Sequence, residues 1–352
     1  MIRPEYEHYI EHALTMSDVE AELRDQLLPQ LPDSIIDSHT HAAVPGDFDH
    51  ESLPAHVHQH MMSTFPTFGI DDSHRATEML FPGKSVSKAR FAHAFAGINK
   101  RAVNEYLASD PSPDDYPVLF GVSDTPEDID YTIAQIESGA FRGLKMYYFA
   151  SDPPKYGLFE YFPRPVLDAA QRAGIPIILH LPHSLYRSEE EVEQLAEEYP
   201  DLKVILAHIG VANLPKPELD VILPRFAQLP NVYVDTALVD AEGIAVKALQ
   251  HMGPKKVLYG SDEPLNLLRT VTYFNPELDT ARVLTDFPYH WADPVEQTKY
   301  RSSAQTAFIH NHWLQITTLL DGIAATTNSP AERQEATEMV FRTNAKHLFG
   351  TK

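Results

Sequence analysis

The sequence predicts an α/β chain closed into a (β/α)8 barrel, with a helical extension before it and long insertions at its mouth. Three observations carry this: short apolar runs recur along the chain, helix start signals lie between them, and ligand-type side chains stand where the runs end. The 352 residues exceed the usual size of one domain. A single barrel with insertions accounts for them as one domain, residues 1–352, and 43% hydrophobic content supplies its core.

Residues from about Pro4 to Gln30 read as helix, because Tyr9, Ile10, Ala13, Leu14, Val19, Leu23 and Leu27 recur near helical spacing. Residues 1–33 are therefore the helical extension. Pro32-Asp33 ends it, and Ser34-Ile35-Ile36-Asp37-Ser38 reads as the first strand. Apolar runs follow at Tyr116 to Val122, Gly143 to Tyr148, Ile175 to His180, Lys203 to His208, Asn231 to Thr236 and Lys256 to Tyr259. Between them, Thr125-Pro126-Glu127-Asp128 offers an N-cap, a first-turn proline and early acids. Ser188-Glu189-Glu190-Glu191 reads as a capping box before an amphipathic run to Tyr199. Strands that alternate with helices imply a parallel sheet. The second strand falls somewhere within Ala42 to Ser112, a His- and Met-rich stretch of poor periodicity. Stretches 42–115 and 263–300 are expected at the barrel mouth, where substrates bind.

The formal net charge of −22 disfavours nucleic acid and anionic membranes, since the phosphate term would be repulsive. A small-molecule substrate is the expected partner, with a homo-oligomer left open. The absence of cysteine removes disulfides, thiolate nucleophiles and sulfur metal sites, so a metal would need His, Asp, Glu or a modified Lys. No apolar run near Met1 resembles a signal peptide, and no stretch of about 18 apolar residues is present to span a bilayer. A cytoplasmic protein is the expectation.

With eighteen histidines, a lone one says little. Position at strand ends does the sorting. His39 and His41 follow the first strand at i, i+2 spacing, so both side chains point to one face and can converge on one ion. His180 ends the run Ile175 to Leu179, His208 ends Lys203 to Ala207, and Asp262 follows Val257 to Ser261. A single histidine at a strand end is ordinarily a packing or surface residue; five ligand-type residues so placed argue for a metal site. His58-Gln59-His60 is also His-x-His, but no apolar strand precedes it and no metal site is expected there.

The run Ile35-Ile36-Asp37-Ser38-His39-Thr40-His41, with Gly143-Leu144-Lys145, His180, Ala207-His208, Gly260-Ser261-Asp262-Glu263-Pro264 and Asn344 to Gly350, resembles the amidohydrolase superfamily. More narrowly it is similar to the amidohydrolase-related branch that includes aminocarboxymuconate-semialdehyde decarboxylase, from about residue 34 to 350. None of these motifs is specific for a substrate. The resemblance implies His39, His41, His180 and Asp262 as metal ligands. It makes His208 a second-metal ligand or an acid/base and substrate-polarising residue. Three neutral nitrogens and one carboxylate suit a divalent metal, Zn²⁺ first, with an open position. Asp37, two residues before His39, is a candidate to orient a ligand.

Lys145 has two readings. In binuclear relatives a lysine at this strand is carboxylated and bridges two metals; in the mononuclear branch it stays cationic and binds a substrate carboxylate. The resemblance favours one metal. Asp235 and Tyr147 are candidate substrate contacts, with Tyr148, His183, Arg187, His290 and Trp291 weaker. The expected function is hydrolysis of a small cyclic amide, lactone or related carbonyl compound. Asp262 would take a proton from water, and His208 would steady the oxyanion. The alternative is non-oxidative decarboxylation of an unsaturated or aromatic acid. A non-catalytic metal-binding barrel is a third reading, opposed by the open coordination position and the long mouth loops.

Overall fold

A computed structural model of the chain describes residues 4–44, 48, 61–94, 97–109, 112–148, 154–212, 215–241, 243–275, 280–301 and 308–350. Eight parallel strands follow one another in order: β1 (Ser34–Ala42), β2 (Ser85–Ala92), β3 (Tyr116–Phe120), β4 (Gly143–Met146), β5 (Ile177–Leu179), β6 (Val204–Leu206), β7 (Val232–Asp235) and β8 (Val257–Leu258). With helices outside, this is a (β/α)8 barrel. β8 is too short to make a ladder with β1. Closure comes instead from the segment after it: Ser38 N–H donates to Tyr259 O at 3.0 Å, Asp262 N–H to His39 O at 2.9 Å and His41 N–H to Glu263 O at 2.7 Å. Inside, Ile36, Phe91, Val118, Phe120, Ile178, Ile205 and Leu258 are buried in one apolar cluster.

β2 is the strand that periodicity left unplaced. Its sequence, Ser-Val-Ser-Lys-Ala-Arg-Phe-Ala, does not read as apolar because Lys88 and Arg90 are buried on its outer side, paired with Glu263 and Asp115. Helices Ile70–Leu80 and Lys100–Ala108 flank it, so the stretch 42–115 contains regular barrel elements. His58 and His60 lie outside the described residues. β1 runs further than expected, to Ala42, so His39 and His41 stand within a strand rather than after one. The stretch after β8 forms an antiparallel hairpin, β9 (Thr270–Asn275) and β10 (Thr280–Thr285), and a helix Pro294–Tyr300.

Helix starts divide. Thr125 caps the helix Pro126–Glu137 with a reciprocal capping box to Asp128, as expected. Ser188 does not start a helix. The helix Ser184–Glu198 begins a turn earlier, and the Ser188 hydroxyl donates back to His183 O, a partner that competes with the cap role. The N-terminal stretch is two helices, Pro4–Ala13 and Asp18–Leu27, because Ser17 caps the second through a box with Glu20. Among the described residues, no helix is long and apolar enough to cross a membrane.

Glu20 also fastens this extension to the barrel. It is fully buried and accepts from Arg269 Nε and Nη2, both at 2.9 Å, and from His310 N at 2.7 Å. Glu20→Ala strands the buried Arg269 guanidinium, so a loss of about 3–5 kcal/mol is expected in urea denaturation. A loss under about 1 kcal/mol would show that the extension is not held through this residue.

Candidate metal centre

A bulge in β1 shapes the site. Asp37 pairs across from Lys88, yet Thr40 already pairs across from Arg90, so β1 fits one extra residue between them. The spacing therefore does not keep Asp37 and His39 on one face. Ile36 is in the barrel interior, whereas Asp37 lies in the field of Lys88 and Glu263. Asp37 Oδ1 accepts from His39 N at 3.2 Å and Ser261 N at 2.9 Å, so it clips the backbones of β1 and the segment after β8 together. Burial raises its pKa to about 6.

Beyond the bulge, His39 and His41 face inward against Phe91, with ring centroids 5.0 and 4.7 Å away. Gly260 permits the close approach, since a Cβ there would lie 2.9 Å from His39 Cβ. Asp262 reaches the same point from a left-handed backbone, φ 64°. One ligand atom each from His39, His208 and Asp262 can be chosen so that all lie within 4.8 Å of one another. His41 Nε2 is 2.8 Å and His39 Nε2 3.3 Å from Asp262 Oδ1. His180 stands at the rim, its ring 4.9 Å from that of His208 and its Nε2 3.1 Å from Tyr147 Oη.

The far ring nitrogens of His39, His41 and His208 are held. His39 Nδ1 is 2.8 Å from Asp235 Oδ2, His41 Nδ1 is 3.3 Å from Ala92 O, and His208 Nδ1 is 2.7 Å from Ala237 O. Carbonyl oxygens only accept, so His41 and His208 carry their protons on Nδ1 and turn an Nε2 lone pair inward when neutral. His41 then presents that lone pair to a carboxylate oxygen, and His39 lies between two carboxylates. Each of these contacts requires a proton or a cation in between.

His208 follows β6 on a left-handed turn, with φ of 56°, 51°, 67° and 58° at His208, Ile209, Gly210 and Val211. Such backbone costs about 1–2 kcal/mol per non-glycine residue. The turn lets His208 N–H donate to Asp235 Oδ1 at 2.8 Å, and Ala237 N–H adds a bond at 3.1 Å. Asp235 is thus engaged by His39, His208 and Ala237 and is fully buried. Sequence reading missed this because the strand end alone does not show which way a carboxylate turns. With His208 Nδ1–H committed to Ala237, the neutral ring has a lone pair to bind an ion or take a proton, and no N–H for an oxyanion.

Lys145 is fully buried with no hydrogen-bond partner for Nζ among the described residues, 5.3 Å from the Phe91 ring centroid and 5.8 Å from that of Tyr147. Burial, opposed by Asp235 and Asp262, brings its pKa down to about 8. Tyr147 stacks on Tyr148 at 5.0 Å. His183 is the N-cap residue of its helix, and Arg187 is exposed. His290 and Trp291 bind Ser63 and Thr64, at 2.9 and 2.8 Å, and so tie two mouth segments together. His93, which no sequence signal singled out, stacks on His41 at 4.7 Å and 3°.

Burial pulls His39 down, but Asp235 outweighs it and holds the imidazole above its ordinary value. Burial brings His208 to about 4 and pushes His41 and His180 down as well. For Asp262, burial is outweighed by His39 and His41, which keep the carboxyl ionised.

This barrel brings imidazoles and a carboxylate together at the C-terminal ends of its strands, in a group that could hold a metal ion. A model of the amidohydrolase family matches residues 36–351, and the chain belongs to that family of enzymes. No curated protein matches the chain. Among solved structures it is similar to an amidohydrolase from Burkholderia multivorans with bound zinc, at 15% identity and a TM-score of 0.55, covering 90% of this chain and 98% of that one. A candidate 2-pyrone-4,6-dicarboxylic acid hydrolase from Pseudomonas putida gives 17%, 0.53, 91% and 98%. The 5-carboxyvanillate decarboxylase of Novosphingobium aromaticivorans, complexed with manganese, gives 15%, 0.50, 90% and 96%. At these identities the likeness is one of fold.

The depressed histidines predict an acid limb in stability. His208 at about 4 and His312, lowered by burial to about 3, take up protons more readily unfolded, so their contribution is complete above 6.5 and fades as pH falls. Asp37, raised from 3.8 to about 6, opposes this over that interval. With His41, His93 and His180 also lowered, the histidines outnumber it. Chemical denaturation of metal-free protein should show stability falling from pH 6.5 to about 4; a flat or rising profile contradicts this charge assignment.

Proposed function

We propose that this chain is a metal-dependent hydrolase that cleaves a small cyclic amide, lactone or related carbonyl compound. The observation that carries the reading is the acceptor-to-acceptor contact between His41 Nε2 and an Asp262 oxygen, with His39 Nε2 3.3 Å from the same oxygen. Burial disfavours the imidazolium that would otherwise bridge His41 and Asp262. A divalent cation fits there: His39, His41, His208 and Asp262 would hold it, with His180 at the rim. A nitrogen-rich donor set without thiolate suits zinc. When bound, the ion supplies Lewis acidity, polarising a carbonyl and making water a competent nucleophile.

The remaining work belongs to side chains. Ionised Asp262 takes the proton of attacking water and passes it to the leaving group. Lys145 Nζ, buried and without a partner among the described residues, is the group that steadies developing negative charge, the role His208 lacks an N–H to fill. The same lysine favours a second reading. Against the Phe91 and Tyr147 rings it suits the carboxylate of a flat, unsaturated acid, the substrate a decarboxylase would bind.

Elemental analysis should find about one divalent metal per chain, and His39→Ala should lose it, because removing one ligand from a small set weakens binding sharply. Equal loading of parent and variant would defeat the reading. With one metal, Lys145 stays unmodified, so a carboxyl adduct mapped there by intact mass would move the enzyme to a bridged, two-metal form.

Asp262→Asn keeps an oxygen donor and loses the base, so metal should largely remain while turnover falls by about 10²–10⁴-fold. Screening lactones and cyclic amides for acid release, beside unsaturated and aromatic acids for CO₂, separates the two reactions. CO₂ release without hydrolysis makes the decarboxylase reading correct. Parent-like turnover by Asp262→Asn overturns both mechanisms.

A further inference from the structure

The segment that carries Asp262 is also held from outside the barrel. While Asp262 reaches inward to His39 and His41, the Glu263 side chain reaches a buried ionic cluster between β2 and the helix Ile70–Leu80. Glu263 Oε2 accepts from Lys88 Nζ at 2.6 Å, Oε1 accepts from the Ser73 hydroxyl, and Arg90 Nη1 lies 3.8 Å away. Ser73 Oγ in turn accepts from Lys88 Nζ at 2.9 Å and Arg90 Nη1 at 2.7 Å, and Arg90 Nε donates to Asp115 at 2.5 Å. All five residues are buried.

Two cations and two carboxylates so deep cost several kcal/mol per ion in desolvation, of order what an apolar layer would avoid entirely. Stability alone is a weak reason for them. Their distinctive feature is what they grip. The backbone of Glu263 closes the barrel on His41, and the residue before it is Asp262 at φ 64°, a conformation costing about 1–3 kcal/mol that surrounding structure must impose. Gln315 Nε2 and Asp37 hold Ser261 on the other side. Asp262 is held by charge from inside the barrel, and Glu263 is the member of the segment whose side chain is anchored by charge from outside it.

We propose that Glu263, clamped by Lys88 and Ser73, is a positioning residue that holds Asp262 in its left-handed backbone and sets its carboxylate against His39 and His41. This rests on the reading of Asp262 as a metal ligand. The clamp acts through the backbone, so its loss should appear in metal affinity and ligand geometry as well as in stability.

The test compares zinc affinity, the absorption spectrum of cobalt-loaded protein and Tm in the parent, Glu263→Gln and the double variant Lys88→Met/Glu263→Met. The double variant removes both charges together, which is often neutral or stabilising for a buried pair, and so guards against a single variant that fails to fold. Glu20→Gln, at the remote buried pair, is the control for destabilisation alone. Zinc should bind about 10–100-fold more weakly in both Glu263 variants, with an altered cobalt spectrum, while Glu20→Gln lowers Tm and leaves both unchanged. Parent-like zinc affinity and cobalt spectrum in the double variant overturn the proposal. If the parent itself binds no zinc, the metal reading falls, and a crystal structure of the double variant decides the clamp. Asp262 still left-handed and beside His41 refutes it, and a relaxed Asp262 backbone upholds it.

Discussion

The barrel closes through backbone hydrogen bonds between β1 and the five residues that follow β8, and nearly everything in the site depends on them. β8 contributes only Val257 and Leu258. Ser38, His39 and His41 therefore bond to Tyr259, Asp262 and Glu263 in place of a regular ladder. The residues that complete the barrel are the same ones that carry the inward imidazoles and carboxylate. A barrel that failed to close here would also separate Asp262 from His41, so fold and site share one set of bonds.

That shared closure explains the unusual backbone around it. A regular strand would alternate Asp262 and its neighbours strictly in and out, and a regular β1 would keep Asp37 in line with His39. The bulge between Asp37 and Thr40 and the left-handed Asp262 break both rules. As a result Asp37 is free to grip two backbones, and Asp262 meets two imidazoles at once. The left-handed turn at His208 does the same from β6, sending its Nδ1 to Ala237. The left-handed backbone at His208 and Asp262 and the bulge within β1 stand where side chains must converge.

The barrel was legible because its strands β3 to β8 are short apolar runs between helices, with Lys145 beside Ile178 a lone charge within β4. β2 was not legible for the opposite reason: Lys88 and Arg90 give it a surface-like pattern, and their partners Glu263 and Asp115 are distant in sequence. The site divides along the same line. His180, His208 and Asp262 follow apolar runs and His39 and His41 lie in the second half of β1, positions that periodicity can mark. The partner of each ring nitrogen cannot be marked that way, since Asp235 and Ala237 act across strands. Hence the contacts of Asp235 with His39 and His208, and of His208 Nδ1 with Ala237, are visible only in the folded chain.

Charge supplies the remaining constraint. Within the centre stand two buried carboxylates, Asp235 and Asp262, and one buried ammonium, Lys145, whose pKa of about 8 leaves it largely charged at neutral pH. With neutral imidazoles the cluster is one charge negative. In the metal-free protein that deficit is met by protons shared between imidazole and carboxylate, which burial resists at His41 and Asp235 assists at His39. A divalent ion in their place would remove the acceptor conflict at His41 and leave the centre one charge positive. A buried site of that charge is completed by an anion, whether the carboxylate of a substrate or the negative charge that develops on a carbonyl oxygen. Lys145 lies between the Phe91 and Tyr147 rings, where water is excluded, so its attraction for that anion acts at low dielectric. On the proposed reading metal and substrate would thereby be coupled: the ion would create the positive field into which Lys145 would draw the substrate.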